Sequence, residues 1–399
     1  MPSAVRTVLF STLYPSSARP LHGVFVETRL RELLQTGRVQ SKVVAPVAWV
    51  PKGLVRGGRP AAMAATPLRE VLNGNDVRHP RYFAIPKFGM TVAPLLLALG
   101  ARPALRQLQA EGFDFDVIDA HYYYPDGVAA AILGRWFAKP VAITARGTDI
   151  NLIPEYRLPR LMIQWAAEQA AASIGVSAAL VERMRQLGVR SERLHVMRNG
   201  VDLGRFRPLA QTTARREIGQ QGAPLLLCVG NLHQHKGQGL AVQALARLRL
   251  RRPGVRLVIV GDGPDRERLQ RQAATDGVED AVYFAGAVPN EELARWYSAA
   301  DVLLLPSSRE GWPNVLLESM ACGTPVVASR VGGVTEIVAA PVAGRVVDDR
   351  SAEGFASAVE DLLANVVDRS AVRRYAEGFG WADTSQDQVR LFSALAGLA

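Results

Sequence analysis

The sequence predicts an α/β protein with two domains, each built around a parallel sheet. Short apolar segments of strand length alternate along the chain with longer segments of helical period, an order typical of parallel strands joined by crossover helices. The chain has 399 residues, which is enough for two domains of ordinary size. A polar stretch from Asn199 to Pro224 separates two halves of similar length, and we predict that it is the linker.

The strands and helices follow from this alternation. In the first half we predict strands at 7–11, 41–45, 117–120, 140–144, 173–176 and 194–197, and helices at 27–36, 127–137, 158–172 and 178–187. In the second half we predict strands at 225–229, 256–260, 281–284, 302–305 and 325–328, and helices at 239–250, 265–274, 290–300, 315–321 and 352–365. Residues 50–100 are too irregular to interpret. We place the domains at 1–207 and 208–380, with a last helix at 381–399.

Composition limits the class of protein. Hydrophobic residues make up 48% of the chain and charged residues 21%, as in ordered globular proteins. Cys228 and Cys322 have apolar neighbours and no metal-ligand spacing, so we predict buried, reduced thiols and a cytoplasmic location. The long apolar run from Val92 to Ala101 is only half of the roughly 20 residues that cross a bilayer.

Two glutamates eight positions apart stand out near the C-terminus. Glu310 follows the apolar strand at 302–305, and Glu318 falls in the second turn of a helix that Pro313 starts, because the fixed φ of proline suits the first turn. The free N–H groups of Asn314 and Val315 would form an anion site at the helix start. Two carboxylates beside such a site are suited to holding hydroxyl groups, which indicates a nucleotide-sugar site. Two solvated acids flanking a helix N-terminus are the alternative.

The flanking sequence favours the nucleotide-sugar interpretation. Gly323-Thr324-Pro325, a strand, and Gly332-Gly333 with Glu336 close a strand–helix–strand unit with turn residues at each junction. The segment 301–338 resembles the donor-site motif of the retaining family-four glycosyltransferases of the GT-B fold. The resemblance extends over almost the whole chain, including Asn199-Gly200-Val201-Asp202 and Phe206-Arg207-Pro208 at the linker.

This resemblance implies two Rossmann-like domains with an inter-domain cleft and a C-terminal helix that returns to the N-terminal domain. Ligands of such sheets lie outside the carboxyl ends of the strands, so we expect the active site between the domains. The resemblance also implies that Glu310 holds sugar hydroxyls and Glu318 the ribose. The same resemblance assigns the following further residues to the donor: Gly311, Trp312, Asn314, Val315 and Val288.

A loop with a lysine follows the first strand of the second half. Gly230 ends the strand, and Lys236-Gly237 precedes a helix, which suits a diphosphate site with Lys236 as the cation. A turn with a solvated lysine is the alternative. Relatives usually have an arginine that contacts the donor diphosphate where this chain has Asn231. We expect Asn231 to bind the donor by donating hydrogen bonds, but one positive charge is missing.

Arg146 could replace that charge. It follows a strand of the first half, in Ala145-Arg146-Gly147-Thr148-Asp149, where many relatives have His-Gly-Ser-Asp with the histidine reaching the donor sugar. An arginine could contact the diphosphate bidentately. A structural arginine paired with Asp149 is the alternative.

Two further positions in the first half are candidates. His121 follows a strand and could contact the sugar together with Asp149, although packing among the neighbouring tyrosines is at least as good an interpretation. Gly23 resembles the first-loop glycine of the family, where the missing side chain lets the backbone approach phosphates. A plain turn glycine explains it nearly as well.

Charge is distributed unevenly. Residues 1–200 contain 25 Lys and Arg against 14 Asp and Glu, whereas residues 201–399 contain 22 against 23. A basic half can attract nucleic acid, an anionic membrane or an anionic substrate. With no zinc-finger spacing, aromatic RNA-binding motif or basic helix, nucleic acid is the least supported partner. We expect peripheral contact with the inner face of an anionic membrane.

The resemblance implies that the protein is a retaining glycosyltransferase, and we predict a role in cell-surface glycan or exopolysaccharide synthesis. It would use a UDP- or GDP-sugar as donor and a glycan or polyprenyl-diphosphate-linked acceptor. The resemblance implies no metal, and the sequence agrees, since we find no Asp-x-Asp motif of the kind that holds a metal against a diphosphate. We expect no cofactor. A non-catalytic nucleotide-sugar binder and a nucleotide-sugar epimerase on the same fold are the alternatives.

Overall fold

The computed structural model describes residues 4–49, 58–84, 89–222, 224–365 and 367–398. The chain forms two compact units, the first of Met1–Arg198 with Ala382–Ala399 and the second of Asn199–Trp381. Each unit contains its own sheet of mainly parallel strands. The predicted α/β class and the eleven predicted strands are confirmed, since each of these strands overlaps an observed one.

The first unit is built on an eight-stranded sheet in the order β10-β9-β8-β7-β1-β2-β5-β4, in which only β4 runs antiparallel to its neighbour. A separate parallel pair is formed by β3 and β6. The strands are β1 (Val5–Phe10), β2 (Val39–Val44), β3 (Val47–Trp49), β4 (Arg69–Leu72), β5 (Asn75–Arg78), β6 (Arg81–Phe83), β7 (Val117–His121), β8 (Val141–Ala145), β9 (Ala172–Gly175) and β10 (Leu194–Val196). The helices between them are α1 (Val24–Leu34), α2 (Gly58–Ala65), α3 (Gly89–Ala110), α4 (Val128–Phe137), α5 (Thr148–Asn151), α6 (Arg157–Gln169) and α7 (Ala178–Gln186).

The second unit is built on a six-stranded parallel sheet in the order β13-β12-β11-β14-β15-β16. The strands are β11 (Leu225–Val229), β12 (Arg256–Val260), β13 (Val282–Gly286), β14 (Val302–Leu305), β15 (Val326–Ser329) and β16 (Gly344–Val347). Its helices are α8 (Gln211–Glu217), α9 (Gln238–Arg249), α10 (Arg266–Thr275), α11 (Leu293–Ala299), α12 (Asn314–Ala321), α13 (Val334–Ile337), α14 (Ala352–Ala364) and α15 (Arg369–Glu377). All four residues of β14 are buried, as expected for a central strand covered by helices on both faces.

The last helix, α16 (Ala382–Leu395), belongs to the first unit. Val389 and Phe392 on its inner face pack into one core cluster with residues of β1 and β7, including Val5 and Val117. The predicted segment began one residue earlier, at Trp381, which lies in the second unit. Burial of this apolar face explains why the C-terminus returns to the first sheet.

The division between the units lies at Arg198/Asn199, nine residues before the predicted boundary at 207/208. Hydrogen bonds hold the intervening segment on the second unit. Val201 N donates to Phe379 O at 2.9 Å, and the Arg373 guanidinium donates to Phe206 O at 2.7 Å. The segment from Asn199 to Pro208, predicted to be part of the linker, is therefore packed as part of the second unit.

The predicted linker also contains a helix. In α8, Arg215 binds Asp301 through its guanidinium at 2.6 Å and the carbonyl of Ala299 at 2.9 Å. These contacts fix α8 against the segment around α11, so the polar sequence reflects a solvent-facing helix rather than an extended linker.

The part of the chain at 50–100 that had no interpretable pattern contains α2, β4, β5, β6 and the first half of α3, while 50–57 and 85–88 lie outside the described residues. Pro94 and Pro103 lie inside α3 and conceal its helical period. Both cysteines are buried free thiols, as predicted. Within the described residues, none of the helices combines the length and apolar character needed to cross a membrane.

Candidate active site

The second sheet has the strand order of a dinucleotide-binding fold, with β11 and β14 adjacent at its centre. Successive connections leave these two strands in opposite directions, and a crevice forms at the carboxyl ends of such a pair. The loop after β11 carries Lys236, and the loop after β14 carries Glu310. Lys236 Nζ lies 2.8 Å from Glu310 Oε1. The Glu310 side chain is only 8% exposed and that of Lys236 is 29% exposed, so the ion pair is partly shielded from water.

Backbone contacts fix both loops. Ser308 N donates to His235 O at 2.8 Å, which joins the β14 loop to the β11 loop directly. Gly237 has a φ of +74°, and a Cβ there would lie 2.1 Å from Pro306 O. Only glycine fits this position, because it combines a left-handed backbone with a close approach to the neighbouring loop.

A second glycine loop supports Glu310 from the other side. Gly333 N donates to Gly311 O at 3.1 Å. A Cβ at Gly332 would lie 2.0 Å from Glu310 O. The Gly332-Gly333 pair of the sequence motif therefore packs against the backbone that carries the first glutamate.

Glu318 lies in the second turn of α12, as predicted, and is partly buried. Its Oε2 accepts a 2.7 Å hydrogen bond from the Tyr297 hydroxyl. Burial raises the pKa of the Glu318 carboxyl to about 7, and the Tyr297 hydrogen bond opposes that rise. Tyr297 is fully buried. The sequence interpretation missed this tyrosine, and a lone aromatic residue in a helical pattern offered no signal for it.

Trp312 and Asn314 contact the start of the second unit. Trp312 is 6% exposed, and its indole Nε1 donates to Asn199 O at 2.9 Å. Asn199 Nδ2 donates to Asn314 Oδ1 at 3.3 Å. Trp312 is predicted to bind the donor, and its indole N–H anchors the chain at Asn199.

Helix α12 begins at Asn314, with Pro313 as its N-cap rather than its first helical residue, and no side chain caps it. The first N–H groups of the helix, including that of Val315, therefore remain directed out of its N-terminus. This end of α12 follows directly on Gly311 and Glu310, beside the ion pair with Lys236.

Asn231 and Val288 lie further along the same edge. Asn231 is exposed, and its carbonyl accepts from Gln238 Nε2 at 3.1 Å. Val288 is half-buried in the loop after β13, which β12 separates from β11. A ligand that contacted Lys236 and Val288 would have to extend along the carboxyl edge past β12.

In the first unit, His121 and Arg146 form one cluster at the carboxyl ends of β7 and β8. His121 is the last residue of β7 rather than a loop residue, and it is 1% exposed. Its Nδ1 contacts a terminal nitrogen of Arg146, and its Nε2 lies 3.1 Å from Asp119 Oδ2. Polar contacts on both sides therefore fix the ring, in addition to any packing against the neighbouring tyrosines.

The Asp149 side chain binds backbone N–H groups of the surrounding loops. Its carboxylate is buried and accepts from Tyr123 N at 2.7 Å, Gly147 N at 2.7 Å and Arg146 N at 3.0 Å. Burial raises the pKa of this carboxyl, and the backbone donors oppose the rise. The predicted pairing of Arg146 with Asp149 occurs through the Arg146 backbone. The guanidinium instead stacks over the ring of Phe25, 5.3 Å from its centre.

Gly23 is the N-cap of α1, with a φ of +71°. A Cβ there would lie 2.4 Å from the carbonyl carbon of Leu13 in the loop after β1. The turn explanation accounts for this glycine, and its predicted approach to phosphates stays a prediction.

The sequence contains one Asp-x-Asp spacing, in Asp114-Phe115-Asp116. Asp116 Oδ2 accepts from Arg6 N at 2.8 Å, and Asp114 pairs with Lys139 at 3.0 Å. Both aspartates precede β7, at the amino edge of the first unit's sheet, whereas the candidate residues of that unit at the ends of β7 and β8 lie at its carboxyl edge. Among the described residues, we find no group of three His, Cys, Asp or Glu placed to hold a metal ion.

Family models match both halves of the chain. Residues 210–379 match the model described as glycosyl transferases group 1, and residues 54–205 match the model described as glycosyltransferase family 4. The chain belongs to glycosyltransferase family 4. It is 30% identical over 359 residues to a D-inositol 3-phosphate glycosyltransferase of Kribbella flavida, covering 83% of this chain and 84% of the relative. The enzyme is thus a glycosyltransferase, and the alternative of a non-catalytic binder is set aside.

Two other proteins are similar to this enzyme, one in sequence and one in structure. A GDP-mannose-dependent α-(1-6)-phosphatidylinositol monomannoside mannosyltransferase of Mycolicibacterium smegmatis is 35% identical over 259 residues, covering 62% of each chain. The structure of Anabaena HepE in complex with UDP-glucose superposes with a TM-score of 0.73 at 20% identity, covering 98% of this chain and 99% of HepE. This likeness confirms the predicted GT-B fold.

Proposed function

We propose that this glycosyltransferase moves a sugar from a nucleoside-diphosphate donor to a glycan or lipid-linked acceptor, with retention at the anomeric carbon and without a metal. The observation that carries the proposal is the Lys236–Glu310 ion pair at the carboxyl ends of β11 and β14, with Glu318 on the helix that follows. This arrangement offers a cation, two carboxylates and a helix N-terminus at one edge of a nucleotide-binding sheet.

Each group has a matching part of the donor. Lys236 and the N–H groups of α12 suit the diphosphate, whose charge they would stabilise. Glu310 suits hydroxyl groups of the sugar, since a carboxylate accepts two or more hydrogen bonds. Glu318 suits the ribose, because Tyr297 binds its Oε2 and leaves Oε1 to accept from a ribose hydroxyl.

The proposed chemistry needs no protein base. The bond between the anomeric carbon and the diphosphate oxygen breaks, and the acceptor oxygen bonds to that carbon on the same face. The acceptor proton passes to the departing phosphate oxygen. Lys236 and the helix N–H groups stabilise the negative charge that develops on the leaving group. Arg146 of the first unit is proposed as a cation for an anionic group of the bound substrates.

The names of relatives suggest candidates for both substrates. The Kribbella protein is named for D-inositol 3-phosphate, the Mycolicibacterium protein for GDP-mannose and a phosphatidylinositol mannoside, and HepE binds UDP-glucose. We propose a UDP- or GDP-sugar as donor. For the acceptor we propose a phosphorylated polyol, a phosphoglycolipid or a polyprenyl-diphosphate-linked glycan, used in cell-surface glycan synthesis.

A membrane-bound acceptor is supported by one face of α3 in the first unit. We define the α3 stripe as Val92, Leu95 and Leu99, which are 37%, 47% and 48% exposed. Their spacing of three and four residues places them on one side of the helix. Arg102 and Arg106 continue the same side of α3, so two basic residues follow the apolar α3 stripe along the helix.

Neighbouring helices carry exposed residues of the same two kinds. Helix α4 packs against both α3 and α6, and Arg102 lies over the Trp136 ring at 5.0 Å. On α6, Leu158 and Leu161 are 50% and 53% exposed, and Arg157 and Arg160 lie beside them in the sequence. We propose that this face of the first unit rests on an anionic membrane, where apolar side chains enter the interface and arginines meet headgroups.

Mass spectrometry of reactions with a panel of UDP- and GDP-sugars tests the function. Wild-type enzyme and Lys236→Ala would be incubated with each donor, with and without inositol phosphates and extracted lipids. We expect a new glycoside only with an acceptor, and its loss in Lys236→Ala. Conversion of a donor to an isomer without acceptor would support the epimerase alternative and overturn the proposal.

A further inference from the structure

A continuous buried chain of hydrogen bonds connects the C-terminal helix to Arg146. Its members lie on α1, on β7, in the loop after β8 and on α16, and all belong to the first unit. Arg29, Asp119, His121 and Gln388 are each 2% exposed or less. The members are Arg29, Asp119, His121, Arg146 and Gln388.

The donor and acceptor at each step are determined by chemistry. A guanidinium can only donate, so His121 Nδ1 must accept from Arg146. The ring then carries its proton on Nε2, which donates to Asp119 Oδ2 at 3.1 Å. His121 is therefore a neutral imidazole of one defined tautomer.

The chemistry of the partners also determines the orientation of the Gln388 amide. Its Oε1 accepts from Arg29 Nε at 3.1 Å, and its Nε2 donates to Asp119 Oδ2 at 3.2 Å. Arg29 also donates to Met197 O at 3.0 Å, close to the end of the first unit's main segment. Flipping the Gln388 amide would place its nitrogen against the donor Arg29 Nε and its oxygen against the acceptor Asp119 Oδ2. Only one orientation therefore forms both hydrogen bonds.

We propose that Asp119, His121 and Gln388 are positioning residues that hold the Arg146 guanidinium in place for a substrate anion. The inference rests on the role of Arg146 in the proposed function and adds to it three residues that do not themselves contact substrate. His121 presents a lone pair to Arg146, Asp119 fixes the tautomer that provides this lone pair, and Gln388 fixes Asp119.

The electrostatics agree with this arrangement. Burial lowers the pKa of His121 to about 4, and the Arg146 charge acts in the same direction, against the opposing effect of Asp119. The ring thus keeps its lone pair at neutral pH. Burial also lowers the pKa of Arg146 to about 9, which still leaves it charged at pH 7.

A double-mutant cycle tests the inference. His121→Phe keeps a ring but removes the acceptor, and we expect kcat to fall roughly 10- to 100-fold, as for a displaced catalytic group. In an Arg146→Gln background, the same substitution should change kcat less than about twofold, because its effect acts through Arg146. Equal losses in both backgrounds would show a merely structural role and overturn the inference.

Gln388→Met provides a second variant, should His121→Phe fail to fold. Methionine has a volume similar to that of glutamine, and Gln388 lies at the end of the hydrogen-bond chain that is farther from Arg146. We expect the same dependence on Arg146, with a smaller loss of kcat. Tyr123→Phe is the matched control, since it removes another buried hydrogen bond of the same unit, the one between the Tyr123 hydroxyl and Ser173 Oγ at 2.7 Å. It should leave kcat unchanged.

Nitrogen NMR of the His121 imidazole gives a readout that is independent of activity. We expect the Nε2–H tautomer at pH 7, and an Nδ1–H tautomer or an imidazolium would overturn the inference. If Arg146→Gln alone keeps wild-type kcat, Arg146 has no catalytic role and the inference is also wrong. The proposed function would survive that result, because it depends on sugar transfer by the wild-type enzyme.

Discussion

Lys236 Nζ lies 2.8 Å from Glu310 Oε1, although the two residues are 74 positions apart in the chain. Each charge compensates the other at the point where the central strands of the second sheet end. A donor that binds there with its diphosphate on Lys236 and its sugar on Glu310 would exchange one ion pair for two charge-assisted contacts. Substitutions at the two glutamates should therefore have separable effects.

Glu310→Ala should abolish sugar transfer while nucleoside diphosphate still binds, because this carboxylate is assigned to the sugar and its loss leaves Lys236 for the diphosphate. Glu318→Ala should weaken binding of the nucleoside diphosphate itself. Each lost charge-assisted hydrogen bond should cost roughly 1.5–3 kcal/mol. Calorimetric titration of both variants with UDP and GDP measures this division, and the opposite pattern would reverse the two assignments.

Glu318→Gln should stabilise the second unit at pH 8 but not at pH 4. The folded-state pKa of Glu318 is raised from 4.5 to about 7 by burial, so the folded unit binds this proton more tightly than the unfolded chain. Stability from this group is therefore present below pH 4.5 and lost as pH rises to 7. Glutamine keeps the acceptor for Tyr297 without the charge, and the gain at pH 8 should be on the order of 2 kcal/mol.

Thermal unfolding of the two proteins between pH 4 and pH 8 checks this expectation. The control is Glu291→Gln, which replaces an exposed glutamate of the same unit. A difference between Glu318→Gln and wild type that stays constant with pH would contradict the linkage to this carboxyl.

Transferase activity should persist in excess EDTA. Of the two carboxylates proposed to bind the donor, Glu310 already pairs with Lys236, and Glu318 accepts from Tyr297. Initial rates before and after chelation provide the measurement. Loss of activity that manganese or magnesium restores would remove the metal-free mechanism.

Binding to vesicles should depend on the α3 stripe and on salt. Replacing Leu95 and Leu99 together by glutamine should reduce co-sedimentation with anionic vesicles, because both leucines are about half exposed on the face assigned to the membrane. Attraction of about 1 kcal/mol per basic residue near such a surface should weaken at high salt, where screening is stronger.

Leu250→Gln is the matched control for this experiment. Leu250 is 79% exposed but lies in the second unit, whose acidic and basic residues nearly balance. It should not affect sedimentation. Equal and negligible binding of all variants at low and high salt would remove the membrane proposal and leave the transferase proposal untouched.

The sequence by itself determined the alternation of strands and helices, the loop position of Glu310 and the second-turn position of Glu318. These features depend on periodicity and turn residues within segments of about 10–15 residues, so the local sequence is sufficient to predict them. The same local signals failed for α3, where Pro94 and Pro103 interrupt the pattern, and for α8, whose polar residues resembled a linker.

Only the tertiary structure decided which distant groups meet. Glu310 contacts Lys236 because β11 and β14 are neighbours in the sheet. Glu318 contacts Tyr297 because α11 packs against α12. Gln388 reaches Asp119 across 269 positions because α16 buries its apolar face on the first sheet. Strand order and helix packing bring these pairs together, and neither is encoded in the residues that surround each member.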